Sequence, residues 1–423
     1  MTSKRALLHP INQRDLPIDW QLIPIGDALI DSQYGTNAPS VPNGDIDLIG
    51  MKDIASGIVC TKNLVRTKLN NQEREKYLLH KGDILINRTN SYDLVGKVGL
   101  YDSAQPAVFA SYLVRLVVNR NVVNPDYLNY WLNGYIAQKT IKRIATRAIS
   151  QANINPTEFK KHCFVPLPPL DEQQRIAEVL NAFGKAIELI GHLIDAKQKQ
   201  RKGFMQQLLS SKRRFPGFTK PWQEFRLGDI FERVTRKNDV GCDLVLTASG
   251  ERGLIDQKDY FNRSVSSESL HGYYHIKKGE FAYNRSAMRG YPYGSIKRLD
   301  AYPKGVLSTL YLCFSLSGED QCSDFFVHDF EAGILNRQLR KIAQVGARAH
   351  GLLNVTAGDF FKLRLLVPDR DEQIKIAAFL NACNSEITLL RQQLDAFKEQ
   401  KKGLMQQLLT GKVRVKPAKE AVA

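Results

Sequence analysis

No stretch of this 423-residue sequence approaches the roughly 20 consecutive apolar residues that a membrane span requires. Its start, Met1 to Trp20, carries charges and proline where a secretory leader has an apolar core. A cytoplasmic protein with no membrane partner is expected. Cysteine is sparse: Cys60, Cys163, Cys242, Cys313, Cys322 and Cys383 include no CxxC and no pair nearer than Cys313 and Cys322. Free thiols in a reducing compartment fit that pattern better than a disulfide framework. His271 and His275 share an i, i+4 spacing, but no HExxH and no cysteine partner accompanies them, so no metal site is expected. Missing too are the GxxxxGKS/T loop of a nucleoside triphosphate site and the GxGxxG turn of a dinucleotide site.

Acidic residues are outnumbered. Lys and Arg total 60 against 43 Asp and Glu, a net charge of +17, while 43% apolar content is ordinary for a folded protein. The basic excess runs through every part of the chain instead of collecting in one tail. A long polyanion touched at several places suits that distribution, through phosphate neutralisation and counterion release.

The sequence repeats itself. Asp171-Glu172-Gln173 recurs as Asp371-Glu372-Gln373, and Lys202-Gly203-Phe204-Met205-Gln206-Gln207-Leu208-Leu209 recurs as Lys402-Gly403-Leu404-Met405-Gln406-Gln407-Leu408-Leu409, both at an offset of 200. Upstream the match is looser: Trp20 and Gly26-Asp27 correspond to Trp222 and Gly228-Asp229. Lys81-Gly82-Asp83 with Asn87-Arg88-Thr89 corresponds to Lys278-Gly279-Glu280 with Asn284-Arg285-Ser286. The chain is one unit written twice, each a diverged globular module followed by a better preserved segment of about 40 residues.

That segment reads as a long helix. Ile176, Leu180, Phe183, Ile187, Ile190, Ile194, Lys197, Arg201, Phe204 and Leu208 alternate spacings of four and three, a heptad seam. The second copy repeats it at Ile376, Leu380, Cys383, Ile387, Leu390, Leu394, Phe397, Lys401, Leu404 and Leu408. Asp171 and Asp371 are expected as N-caps, and Gly203 and Gly403 mark a kink or the close approach of another backbone. At about 1.5 Å per residue each helix would be about 60 Å long. Two such helices separated by a compact module are expected to pair antiparallel; the seam alone also allows each to coil with another molecule.

The modules read as mixed α and β. Strands are expected over Asp83–Asn87, Phe109–Val118, Glu280–Asn284 and Val306–Ser315, with helical patterns over Asp126–Ala145 and Asp324–Ala343. Two triplets mimic chemistry. Asn124-Pro125-Asp126-Tyr127 is near the Asn-Pro-Pro-Tyr of adenine methyltransferases but lacks the second proline and a donor loop. Glu158-Phe159-Lys160 could stand for a nuclease ExK but lacks converging carboxylates. A helix start and a chance triplet explain both. Candidate DNA contacts are Asn87, Arg88 and Thr89, and Asn284, Arg285 and Ser286, which follow strands and offer donors for base edges or phosphates. Arg289, with Tyr291 and Tyr293, adds to the second set. Arg147, Ser150 and Gln151, and Arg348 with His350, form a second loop before each long helix.

With these motifs in place, the chain resembles the specificity subunit (HsdS) family of type I restriction-modification systems. The resemblance rests on Pro168-Pro169-Leu170-Asp171-Glu172-Gln173-Gln174-Arg175-Ile176-Ala177 and its second copy from Val367 to Ala377, each opening a helix that ends in Lys-Gly-Phe/Leu-Met-Gln-Gln-Leu-Leu. Asp369-Arg370 stands where the family usually has Pro-Leu, which is expected to loosen that helix start. The family implies an α+β fold: two target recognition domains (1–170 and 216–370) joined by two long antiparallel coiled-coil helices (171–215 and 371–412), a pseudo-twofold internal repeat, with a basic tail at 413–423. It implies double-stranded DNA as ligand, each domain reading half of a bipartite, asymmetric site. The helices would set the spacer and dock two methyltransferase subunits. It implies no catalysis and no cofactor in this chain: S-adenosylmethionine would come with the methyltransferase subunits, and ATP and Mg with restriction subunits. A catalytic methyltransferase or nuclease subunit, or a coiled-coil scaffold, remains as the alternative.

Overall fold

The structure, a computed structural model, describes residues 11–147, 151–250, 252–261, 269–287, 290–345 and 353–415. The chain divides into two compact units, Met1–Gly191 with Gln392–Ala423, and His192–Arg391. The divisions fall inside the two long helices, Leu170–Leu208 and Arg370–Leu408, each of 39 residues. Each unit therefore holds one module, the start of one long helix and the end of the other.

Every seam position is buried or half-buried. In the first unit Ile176 and Leu180 pack in one cluster with Leu404, Met405 and Leu408, and Phe183 meets Phe397 at 5.9 Å between ring centroids. In the second, Phe204 meets Phe379 at 5.0 Å and Lys197 pairs with Glu386 at 2.6 Å. Within each unit the helix segments thus run antiparallel. A Cβ on Gly203 or Gly403 would meet nothing within 4 Å, and neither helix breaks there. The expected close approach of another backbone is absent among the described residues. Each glycine costs about 1 kcal/mol, whereas each fully buried seam side chain contributes about 1.5–3 kcal/mol, so the seam carries the helix through.

The helix starts differ from expectation. Asp171 and Asp371 stand in the first turn, where their carboxylates meet the positive end of the helix dipole. In the first copy the Pro169 carbonyl accepts from the amides of Glu172 (2.9 Å) and Gln173 (3.0 Å). In the second, Asp369 is the cap: its Oδ1 accepts from the Glu372 amide at 3.1 Å, and its carbonyl from that of Gln373 at 3.0 Å. Asp369 therefore secures the second start instead of loosening it.

Each module is framed by an antiparallel strand pair that brings its beginning to its end, Gln21–Pro24 with Phe164–Leu167 and Gln223–Arg226 with Arg364–Val367. The first module contains a six-stranded sheet in the order 29–34, 113–118, 84–87, 98–100, 57–59, 54–55. The second contains a four-stranded sheet in the order 231–234, 311–316, 281–284, 295–298. The strands expected over 109–118 and 306–315 are each broken by a turn, closed by Leu113 N–H to Ala110 O (2.9 Å) and by Tyr311 N–H to Ser308 O (3.0 Å). The helical patterns also resolve into pairs: Pro125–Asn133 and Tyr135–Ile144 break at Gly134, and Ser323–Glu331 and Asn336–Ile342 at Gly333, whose φ of 74° suits glycine.

The repeated Glu-Gln pair explains why that motif is shared by both copies. Gln173 accepts from the Asn124 amide (2.8 Å) and donates to the carbonyls of Val122 and Pro168; Gln373 accepts from the Cys322 amide (2.8 Å) and donates to Gln321 and Pro368. Both glutamines thereby tie a short module helix to a long one. Glu172, 3% exposed, accepts from Trp20 Nε1 (3.3 Å) and from Arg414 Nε and Nη2 (2.7 and 2.6 Å). Glu372, 0% exposed, accepts from Trp222 Nε1 (3.1 Å) and from Arg214 Nε and Nη2 (2.9 and 2.6 Å). Arg414 also holds Asp19, whose carboxyl it keeps below the usual range. The stretch expected as a basic tail thus begins with a residue docked on the first unit.

The second module's core is rich in phenylalanine, with Phe231 meeting Phe281, Phe314 and Phe326 edge-on at 5.7, 5.2 and 5.0 Å. Asp329, 2% exposed, lies in the helix that supplies Phe326 and Phe330, and its Oδ1 has no hydrogen-bond partner among the described residues. Burial pushes its carboxyl up to about 8. The folded state therefore keeps a proton that the unfolded chain releases near pH 4, so stability falls as pH rises from about 4 to about 8 and is flat above.

Asp329→Asn, which mimics the protonated form, is expected to raise the melting temperature by several degrees near neutral pH, the gain growing from pH 5 to pH 8 and levelling off beyond. A gain of equal size at pH 5 and pH 8.5 would show that this carboxyl does not titrate there. For the two clasps, Arg414→Met is expected to speed hydrogen exchange at the Glu172 and Gln173 amides roughly tenfold while leaving Glu372 and Gln373 unchanged, and Arg214→Met to do the reverse. Equal loosening at both helix starts by either variant would refute their independence.

Candidate nucleic-acid interface

In the first module the two expected loops meet. Strand Ile84–Asn87 of the central sheet delivers Arg88 and Thr89 to its end, and Thr89–Asn90 then pairs with Ala152–Asn153, which pairs with Thr146–Arg147. The Arg88 amide donates to Tyr112 O (3.0 Å) and its carbonyl accepts from the Ile154 amide (2.8 Å). The Arg88 guanidinium lies over the ring of Tyr34 at 4.7 Å from the centroid, and its Nε donates to Asn153 Oδ1 at 3.4 Å. Thr89, half-buried, shares that acceptor, and Gln151 is exposed beside it. Ser150 lies outside the described residues, and for Arg147 only the backbone pairing is described.

Asn87 departs from expectation. It is 0% exposed, because all four residues of its strand are buried, and neither its Oδ1 nor its Nδ2 has a partner among the described residues. Tyr34 and Tyr112, 48% and 51% exposed, take its place beside Arg88. Neither followed from the sequence pattern: Tyr34 ends a strand reading Asp-Ser-Gln-Tyr, and only its pairing with Val114 brings it to this rim.

The second module builds the same rim differently. Leu353 N–H donates to Arg285 O at 2.7 Å, so Arg285 again sits against the hairpin strand Leu353–Asn354. Its guanidinium is spent on the backbone: Nε donates to Leu310 O (2.7 Å), Nη1 to Val355 O (3.3 Å) and Nη2 to Thr309 O (3.4 Å). Arg285 holds two loops together, in addition to the contact with base edges or phosphates expected of it. Asn284 Oδ1 accepts from the Ser286 amide at 3.0 Å, a turn that commits the side chain locally. Tyr291 donates to Gly250 O (2.8 Å) beneath Lys297, and Tyr293 accepts from Tyr283 through its carbonyl. Arg289, Arg348 and His350 lie outside the described residues.

The mimics of catalytic motifs have structural roles. Asn124 caps its helix through Tyr127 N–H (3.1 Å) with Pro125 at the first position, and Glu158 pairs with His162 one turn on (3.2 Å). His275 is buried, and its burial, with Arg236 beside it, holds the imidazole below its usual pKa. Among the described residues no group of three or more His, Cys, Asp or Glu could hold a metal, and no helix is long and apolar enough to cross a membrane. All six cysteines are free thiols.

Arg285→Ala is expected to speed exchange roughly tenfold at the amides of Thr309–Tyr311 and Leu353–Val355, without a change confined to one base of any recognised sequence. Unchanged exchange with a single-base change in preference would instead make it a reader.

Residues 17–196 match the family described as type I restriction modification DNA specificity domain. The chain is 27% identical, over 95% of both chains, to a putative type I restriction enzyme MjaX specificity subunit of Methanocaldococcus jannaschii. It is 30% identical over 177 residues to the type I restriction enzyme StySPI specificity subunit of Salmonella potsdam, covering 40% of this chain and 38% of that one. Two solved structures share its fold. The HsdS subunit from Thermoanaerobacter tengcongensis has a TM-score of 0.53 at 16% identity, over 94% of this chain and 98% of that one. The S subunit of a type I restriction-modification system from M. genitalium has a TM-score of 0.56 at 15% identity, over 93% and 98%. With the doubled module and the paired long helices on the same plan, the chain is similar along nearly its whole length to type I restriction-modification DNA specificity subunits, and the family model matches residues 17–196.

Proposed function

We propose that this chain is the DNA-reading, non-catalytic subunit of a modification complex, and that its two modules read the two halves of a bipartite, asymmetric sequence. One observation carries the reading: the same frame is built twice, with the same clasp at each helix start, yet it carries two differently made rims. Arg88 is stacked on an aromatic face in one, while Arg285 is spent on backbone in the other. Unlike rims on like frames suit unlike half-sites. The charge of +17 supplies the sequence-independent attraction to phosphate.

The long helices serve as the spacer, and as the ground on which two methyltransferase subunits dock. Leu189 and Leu389, at matching positions of the repeat, are 57% and 64% exposed. They offer equivalent apolar contacts to two equivalent partners. Those partners would bring S-adenosylmethionine, and restriction subunits would bring ATP and Mg; this chain would bind none of these. Asn124 caps a helix and Glu158 lies against His162, which supports a structural reading of both mimicking motifs. Free thiols fit a reducing, cytoplasmic setting.

The test is methylation mapped genome-wide in cells that carry this chain with its methyltransferase subunit, and in cells lacking it. A two-part methylated motif that vanishes with the chain is expected; a single uninterrupted palindrome would overturn the bipartite reading. Removing one heptad from each long helix shortens it by about 10 Å, so the unread spacer is expected to shrink by about three base pairs. Methylation persisting at the original spacing would end the spacer role.

A further inference from the structure

The rim of the first module displays a fork of hydrogen-bond donors whose orientation is fixed and whose outer edge is unclaimed. Arg88 is held by its backbone on two sides, through Tyr112 O and the Ile154 amide. Its guanidinium plane is held by the Tyr34 ring at 4.7 Å, and its Nε leans on Asn153 at the long distance of 3.4 Å. Among the described residues neither terminal nitrogen has an acceptor and no carboxylate pairs with it. Tyr34 is itself fixed: a Cβ on the following Gly35 would lie 2.2 Å from the Phe109 carbonyl, so the chain leaves the strand pressed against its neighbour. Tyr112, whose carbonyl accepts from the Arg88 amide, is half exposed.

We propose that Arg88 reads a guanine in the half-site of the first module, and that Tyr34 is its positioning residue. The proposal rests on the DNA-reading function above and names one base of its substrate. A guanidinium fork matches the paired acceptors O6 and N7 that guanine alone presents in the major groove. A phosphate would accept the same donors, but it needs no preset plane, because its oxygens can be met from many directions. Stacking on an aromatic face fixes the plane before DNA arrives, lowering the rotamer entropy lost on binding. Thr146–Arg147 pairs antiparallel with Ala152–Asn153 beside Arg88, and a two-stranded ribbon is an element that the major groove admits. Arg285, at the matching position of the second module, has its donors turned inward onto three carbonyls. The guanine contact therefore has no counterpart at Arg285.

The experiment uses the full chain assembled with its methyltransferase subunits and reads the methylated motif for the wild type, Arg88→Lys, Tyr34→Ala and Tyr34→Phe. Arg88→Lys keeps the charge but loses the fork. It is expected to cut the preference for guanine at one position of one half-site tenfold or more, with the other half-site unchanged as an internal sign of a folded complex. Tyr34→Ala is expected to relax the same position, and Tyr34→Phe, which keeps the ring face, to restore it. A uniform loss of methylation rate in Arg88→Lys with every position retained would make Arg88 a phosphate contact and overturn the proposal. So would an unchanged motif in both Arg88→Lys and Tyr34→Ala. Should Arg88→Lys abolish all methylation, the Tyr34→Ala and Tyr34→Phe pair decides alone: relaxation at one guanine restored by phenylalanine supports the proposal, and identical motifs overturn it. A wild-type complex with no two-part motif would instead overturn the proposed function itself.

Discussion

A buried glutamate at the first turn of each long helix organises this protein. Glu172 and Glu372 cannot be taken out of water alone; each needs charged donors, and each finds them on the segment that follows the other long helix. Arg414 reaches Glu172, and Arg214 reaches Glu372. Trp20 and Trp222 close the contact from the beginning of each module. One interaction, made twice, therefore joins module start, helix start and helix end. The apolar seam supplies most of the pairing energy but would tolerate a slip of register by a whole heptad; the charged clasp, which must be satisfied or pay a large desolvation cost, permits only one.

On this frame the reading rims are free to differ. The glutamines beside the clasp, Gln173 and Gln373, fasten the short helices chiefly through main-chain groups, Gln373 with one side-chain contact to Gln321 as well. The rims are built instead from side-chain contacts such as Arg88 on Tyr34 and Arg285 on three carbonyls. A shared frame thus carries two differently made rims.

The parts of the molecule governed by periodicity were readable in the sequence. The heptad seam and the offset of 200 led directly to two long helices and a doubled module, because a spacing of three and four leaves few other folds available. Parts governed by tertiary contact were hidden. Ala110–Tyr112 is apolar enough to extend a strand pattern, yet it turns. Asn87 looked like a surface donor after a strand, but a strand covered on both faces has no outward side. Asp171 and Asp371 have the right chemistry for a cap and stand two residues too late, since the capping geometry depends on where the chain bends after Pro168 and Pro368. Tyr34 and Tyr112 join Arg88 only through strand pairing across dozens of residues, which no local spacing announces.

The composition of the two units also sets an order of assembly. Residues His192–Arg391 form one unit from a single unbroken stretch, so everything it needs has been synthesised once the chain reaches Arg391. The first unit begins at the start of the chain but is closed by residues from Gln392 onward, with Arg414 as its final charged contact. The module made first is thus the last to be completed. Until Arg414 has been synthesised Glu172 lacks its arginine, and until Leu404 and Leu408 have been, Ile176 and Leu180 lack their partners on the second long helix. During that interval the nascent chain carries an open hydrophobic stripe, the kind of surface for which chaperones compete.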